Sequence, residues 1–190
     1  MSEKDPPQEN LPTLERGRDL SRIVAFTDGV FAIAITLLVL QLEVPLDATS
    51  ASDLLDKLGD QSADFMAFWI SFIVIGSFWI SNHRFMRTVG EFDRGLMFLM
   101  LPYLGFMVLI PFTSQLMGEY SGEFDIAVFF YVLNMVAMTA MAFLIQSHVM
   151  RQGLAKPEYE WDVEWTRKSS LFTMSVFAAS APLAFVLGPW

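Results

Sequence analysis

Between positions 22 and 40 the chain reads RIVAFTDGVFAIAITLLVL, and only its Arg22 and Asp28 are charged. A helix turns by about 100° per residue, so several of these side chains share one face. That face carries Arg22, Phe26, Gly29, Ile33, Thr36, Leu37 and Leu40. The stretch has nearly the ~20 residues that a helix needs to cross a hydrocarbon core of ~30 Å. It therefore predicts a membrane-spanning helix with one acid inside it.

Four further apolar segments follow the first. The five segments are residues 23–42, 65–82, 96–112, 126–145 and 171–188. Of the 12 basic and 21 acidic residues in the chain, only Asp28 lies inside a segment. Backbone groups in lipid must form hydrogen bonds with one another, which favours helices. The sequence predicts an all-α, polytopic transmembrane helix bundle of five helices, with Pro111 kinking or ending the third near its outer face.

The composition excludes several functional classes. Charged residues make up only 17% of the 190, against about 25% in soluble domains. A net charge of −9 argues against a nucleic-acid partner, and the lack of Cys excludes disulfides and thiolate chemistry. No phosphate loop, nucleophile elbow or zinc-protease motif is present. We expect no enzyme activity, no soluble substrate, no cofactor and no metal site.

The basic residues give the orientation in the membrane. Residues 1–18 are acidic and proline-rich and have no apolar run, so we expect a disordered cytoplasmic tail before a transmembrane domain at 19–190. In the predicted topology, 11 of the 12 basic residues lie on the same side of the membrane as the N-terminus. They are Lys4, Arg16, Arg18, Arg22, Arg84, Arg87, Arg94, Arg151, Lys156, Arg167 and Lys168. Because cytoplasmic loops are rich in Lys and Arg, we expect a cytoplasmic N-terminus.

The opposite side is acidic. Its two loops hold nine Asp and Glu residues and one base, Lys57. Such a surface would concentrate cations near the membrane. Alternatively, it reflects only that the orientation rule counts Lys and Arg and leaves acids unconstrained.

Asp28 needs a partner, because an unpaired acid within the membrane costs about 2.5–3.5 kcal/mol or more. The first two segments run antiparallel, which brings Asp28 level with Trp79, Asn82 and His83, with Arg22 at the interface. Two interpretations remain open: a structural polar network, or a proton or ion site with His83 as a proton sensor. We expect the other histidine, His148, to have no companion.

At this point the sequence resembles a known family. Its Arg22-x-x-x-Phe-Thr-Asp-Gly-Val-Phe-Ala-Ile-Ala-Ile-Thr36 closely resembles the first-helix signature of the bacterial transmembrane protein 175 family of potassium channels, relatives of the lysosomal potassium channel. Thr27 stands where Ser is usual. Trp79-x-x-Asn82-His83-Arg84 is similar to the second-helix motif, which often has His in place of Asn82. The resemblance spans residues 16–190.

The resemblance implies a homotetramer in which the first helices line a central pore. Ile33, with Leu37 and Leu40 above it, would form a hydrophobic constriction and gate, and Thr36 would bias selectivity towards potassium. Arg22, Asp28 and His83 match the family's polar network, to which we add Trp79 and Asn82. The family usually has six helices, so we expect the last to be missing or truncated in this sequence.

The resemblance thus implies a weakly selective potassium channel in the bacterial inner membrane, with potassium as the permeant ion and lipid as its surroundings. Two alternatives stay open. One is a proton-coupled transporter or proton leak that uses Asp28 and His83. The other is a non-conducting membrane scaffold, in which the polar residues serve packing alone.

Overall fold

The computed structural model describes residues 11–120 and 125–187, with side chains at 20–120 and 126–179. Over these residues the chain forms seven α-helices and two 3₁₀ turns, the latter at Leu38–Gln41 and Pro157–Tyr159. The helices are α1 (Leu11–Leu37), α2 (Ala51–Asp60), α3 (Ser62–Thr88), α4 (Arg94–Val108), α5 (Ile110–Tyr120), α6 (Asp125–Gln152) and α7 (Glu160–Leu187).

The first four predicted segments coincide with helices that can cross a membrane. By length and composition, these spans are Leu20–Gln41, Ser62–Thr88, Arg94–Tyr120 and Ile126–Gln152. The prediction of an all-α, polytopic membrane bundle is therefore confirmed. Residues 171–187 of the fifth predicted segment lie in α7, and their side chains are described as far as residue 179.

Helix α1 begins at Leu11, inside the segment that we expected to be a disordered tail. Once a helix is nucleated, each added residue gains a hydrogen bond at little further entropic cost. Residues 11–18 include Glu15, Arg16 and Arg18, which are good helix formers. The membrane-spanning helix therefore extends back through them, while residues 1–10 lie outside the described residues.

Pro111 interrupts the third span, as the sequence predicts. Helix α4 ends at Val108 and α5 begins at Ile110. Proline has no backbone N–H and its ring crowds the preceding turn, so the ladder of hydrogen bonds breaks there. The bond that is lost is the one that an N–H at position 111 would donate to the Met107 carbonyl. Ordinary i+4 bonds continue on either side, from Leu109 N–H to Gly105 at 3.2 Å and from Thr113 N–H to Leu109 at 3.0 Å. The Gln41 side chain, just past α1, donates to the Pro111 carbonyl, which joins the end of the first span to this break.

A chain of buried hydroxyls holds α3, α5 and α6 together. The Tyr131 and Ser71 hydroxyls lie 3.2 Å apart, and Ser71 Oγ donates to Ser114 Oγ at 2.8 Å. Ser114 Oγ in turn donates to the Ala67 carbonyl at 3.3 Å. If Tyr131 donates to Ser71, each of these three hydroxyl protons has an acceptor. This pairing offsets the cost of burying the three groups.

The basic end of the bundle is closed by paired loops. Val89 and Ala155 form an antiparallel bridge, with the Gly90 N–H donating to the Leu154 carbonyl at 2.8 Å. Helix α6 stops because Gly153 adopts a φ of 64°, a conformation that glycine enters without strain. The ends of α3 and α6 and the start of α7 are thereby fixed to one another.

The acidic end carries α2, a short helix that we did not predict from the sequence. Ser50 caps it by accepting from the Asp53 N–H at 3.1 Å. Lys57 pairs with Asp47 at 2.7 Å, and its hydrogen bond and charge hold the pKa of that carboxyl below its usual range. The one base on this side thus neutralises part of the acidic surface.

Candidate functional site

Helix α1 turns its predicted stripe away from its own chain. Ile33 is 59% exposed, Leu37 38% and Leu40 75%, and Thr36 is also exposed. The opposite face is buried against the rest of the bundle and consists of Thr27, Phe31, Ala34 and Leu38. The buried set follows the helical repeat of i, i+4, i+7 and i+11. One chain alone therefore leaves the stripe without a protein partner.

Thr36 faces outward with its hydroxyl proton already committed. Its Oγ1 donates to the Ala32 carbonyl at 3.0 Å and to the Ile33 carbonyl at 2.9 Å. A hydroxyl has one proton and two acceptor lone pairs, so the lone pairs remain available on the exposed side. A dehydrated cation needs acceptors, and Thr36 presents them one turn from Ile33.

Leu40 is placed by a different geometry from the one that the periodicity assumes. The α-helix ends at Leu37, and residues 38–41 form a 3₁₀ turn. With three residues per turn, positions i and i+3 eclipse, which stacks Leu40 directly beyond Leu37. The two leucines still share the exposed face, while Leu38 between them is fully buried.

Three of the five predicted network residues meet at the α1–α3 contact. The Trp79 Nε1–H donates to Asp28 Oδ1 at 3.0 Å. The Trp79 ring lies beside the His83 ring, with centroids 5.7 Å apart and planes tilted by 35°. The acid within the first span thus has a neutral donor, and that donor is held by an aromatic neighbour.

Asn82 and Arg22 lie elsewhere. Asn82 is buried and faces a cavity between α3, α6 and α7 that also reaches Gln146. Arg22 lines a groove against α4 beside Arg94, and within the described part of the chain no ion pair joins it to Asp28. The sequence predicts the depth of Asn82 along its helix, but it does not predict the side of α3 on which Asn82 lies.

His148 has a companion, so the expectation that it stands alone is wrong. Its Nε2 lies 2.9 Å and 3.0 Å from the two carboxylate oxygens of Asp93, which also accepts from the Leu96 N–H at 2.7 Å. Burial opposes ionisation of Asp93, but hydrogen bonds from Leu96 and His148 outweigh it and lower the pKa of this carboxyl. An Asp directly before an apolar helix was the available signal for the cap, but not for its second partner.

Gly95 makes this contact possible. A Cβ at position 95 would lie 2.6 Å from His148 Cε1. No side chain larger than hydrogen fits there unless the imidazole moves. The pair therefore ties the start of α4 to the end of α6 through a close approach.

The comparisons with known proteins point to one family. Residues 22–111 match the sequence model of a family described as "Endosomal/lysosomal potassium channel TMEM175". A potassium channel of Streptomyces collinus is 39% identical over 135 residues, which are 70% of this chain and 65% of the relative. A potassium channel of Chamaesiphon minutus is 36% identical over 103 residues, 54% of this chain and 51% of the relative.

Animal relatives and a solved structure agree. The endosomal/lysosomal proton channel TMEM175 of Gallus gallus is 31% identical over 107 residues, 53% of this chain and 21% of that protein. The crystal structure of a lysosomal potassium-selective channel TMEM175 homolog from Chamaesiphon minutus superposes with a TM-score of 0.80 at 27% identity. It covers 89% of this chain and 88% of that one.

The sequence matches thus span less than two thirds of the length of these curated relatives. The matched region nevertheless contains the exposed stripe of α1, the contact between Asp28 and Trp79, and the break at Pro111. Sequence, fold and local geometry agree over that region, and residues 22–111 match the TMEM175 family.

Proposed function

We propose that this protein is a potassium-permeable channel in which four copies place their α1 helices around a central axis. The observation that carries the proposal is the exposed stripe of Ile33, Leu37 and Leu40 on α1. A single helix cannot enclose a pore, so a pore lined by α1 requires symmetric assembly. The relatives named as potassium channels support potassium as the permeant ion.

Thr36 favours a pore over a lipid contact for this face. Lipid offers its exposed lone pairs no donor, whereas a passing cation or water uses them directly. An aliphatic ring at Ile33 gives a hydrated ion no ligands, so such a constriction conducts only when it is wide enough to stay wet. Ile33 would therefore act as the gate, with the Thr36 oxygens replacing lost water beside it.

Asp28 and Trp79 set the rotation of α1. A rotation about the helix axis large enough to move Ile33 off the pore would break the bond between Trp79 Nε1 and Asp28 Oδ1. In this proposal the contact of Asp28 with Trp79 and His83 is structural, and Arg22 and Asn82 serve packing at their separate positions. The N-terminus is cytoplasmic in a bacterial inner membrane. Transport of protons by Asp28 and His83 is the competing function.

The test is the reversal potential of the reconstituted protein under potassium–sodium gradients. We expect Ile33→Asn to raise open probability and to reduce selectivity, because an amide wets the neck. We expect Thr36→Val to reduce selectivity and to keep the neck apolar. Ile70→Asn puts the same amide on the exposed face of α3 and serves as the control. Wild-type behaviour in both α1 variants would show that α1 does not line the pathway.

The same preparation separates the alternatives. A channel gives unitary currents that follow the potassium gradient. A proton-coupled transporter saturates, and its flux disappears when Asp28 is replaced by Asn. A scaffold gives neither signal.

A further inference from the structure

A groove of about 510 Å³ opens between α3 and α7 at the basic end of the bundle. Its walls include Arg84 and Arg87 from α3, and Tyr159, Asp162 and Trp165 from the start of α7. The α3 side of the groove centres on Ser77, Arg84 and Thr88, about 120° around the helix from the face of Trp79 and His83. Arg87 lies at the edge nearer to His83, four residues away. The groove is separate from the stripe of α1.

The two arginines in the groove are available to a ligand. Arg84 and Arg87 are exposed, and no ion pair or side-chain hydrogen bond engages either one within the described part of the chain. Asp162 is the one acid among the lining residues, so the charged lining sums to +1. Paired guanidinium groups present forked donors that match the oxygens of a phosphate. The groove thus complements a phosphate that carries net negative charge.

Two tryptophans mark where the groove lies in the membrane. Trp161 and Trp165 are 71% and 63% exposed and stack with their planes 15° apart. Exposed tryptophans gather at the level of lipid headgroups. Trp165 lines the groove itself, so Arg84 and Arg87 lie close to the level that lipid phosphates occupy.

A second cavity, of about 330 Å³, continues the groove towards the middle of the bundle. The two share Ser77, Ser81 and Ser169 as lining residues. Beyond these serines the walls become largely apolar, with Val74, Phe78, Ile145 and Phe177 among them. A charged mouth at headgroup level that leads into an apolar cavity matches the two halves of a phospholipid.

We propose that this groove is a binding site for one anionic phospholipid per chain. Arg84 and Arg87 hold its phosphate, Trp165 covers the headgroup, and an acyl chain enters the cavity beyond Ser169. The proposal concerns lipid binding and does not depend on the proposed channel function, since neither arginine lies on the α1 stripe.

The test uses the full chain in detergent, titrated with phosphatidylglycerol brominated on its acyl chains, with tryptophan quenching as the signal. Each arginine near a phosphate contributes about 1 kcal/mol, so Arg84→Gln with Arg87→Gln should weaken binding by about 30-fold. Arg151→Gln with Arg167→Gln removes the same charge from the same end and should bind as the wild type does. Trp165→Phe should remove the saturable quenching.

Other probes identify the ligand. Brominated phosphatidylcholine and phosphatidylethanolamine should bind at least tenfold more weakly, and glycerol phosphate, which lacks acyl chains, should fail to compete. Arg84→Lys with Arg87→Lys should bind with intermediate affinity, because charge is kept but the forked geometry is lost. Equal binding of the three lipids, or equal loss in both glutamine pairs, would overturn the proposal. The proposal would also fail if the wild type bound no lipid and the substitutions at Arg84 and Arg87 changed the oligomeric state. That result would assign the groove to contact with a neighbouring copy.

Discussion

Replacing Trp79 with Phe removes one hydrogen-bond donor and leaves an aromatic ring beside His83. The Asp28 carboxylate then loses the partner that lies 3.0 Å away. Hydrogen bonds to charged groups contribute about 1.5–3 kcal/mol, and the partial exposure of Asp28 favours the lower end of that range. For a chain of this size, about 1.5 kcal/mol corresponds to a fall in Tm of about 3–6 °C.

A double-mutant cycle isolates this bond from other effects of the substitutions. It compares wild type, Trp79→Phe, Asp28→Ala and the double variant by thermal unfolding in detergent, because alanine, unlike asparagine, leaves Trp79 without an acceptor. We expect a coupling free energy of about 1.5 kcal/mol between the two positions. Trp69→Phe is the matched control, because Trp69 lies exposed on the same helix and its substitution leaves Asp28 untouched.

A coupling below about 0.5 kcal/mol would refute the structural role assigned to the bond. A variant pair that keeps full stability and loses only proton flux would instead support the transport function for Asp28. The two readouts come from the same four proteins, so the outcome separates the interpretations directly.

The remaining predictions concern packing away from the α1 stripe. Gly95→Ala should lower stability by about 1–3 kcal/mol in thermal unfolding, because its Cβ displaces His148. Because the pKa of Asp93 is lowered in the folded protein, its ionised carboxylate stabilises the fold fully above the pKa of the unfolded state, about 3.9. That stabilisation is lost as the pH falls through the lower pKa of the folded state. Asp93→Asn, which still caps α4, should therefore flatten the acid side of the Tm profile. Tyr131→Phe should cost about 1 kcal/mol, because Ser71 loses a donor, and denaturant unfolding should show it.

The helical spacing of residues and their local chemistry predict several features of this fold. The exposed face of α1 follows from the spacing of Ile33 and Leu37, and the break in the third span follows from the chemistry of Pro111. The level of Asp28 with Trp79 follows from antiparallel neighbours of similar length. These inferences need only local geometry and the thickness of a membrane.

Partners that depend on the rotation of a helix could not be predicted in this way. The pairing of His148 with Asp93 joins positions 55 residues apart, and it depends on a glycine small enough for the imidazole to approach. Asn82 was placed at the correct level but faces the α6–α7 side. The pairing of His148 and the face of Asn82 depend on packing between elements, which a single sequence does not encode periodically. The short helix α2 is different, because its serine cap at Ser50 is a local signal that we did not use.

The hydrogen bond from Gln41 to the Pro111 carbonyl connects the 3₁₀ turn at the end of the first span to the break before α5 that interrupts the third span. Because one amide joins them, a change in the bend at Leu109 would shift the turn that carries Leu40. If α1 lines a pore as proposed, the third span would thereby control the position of Leu40 in that pore.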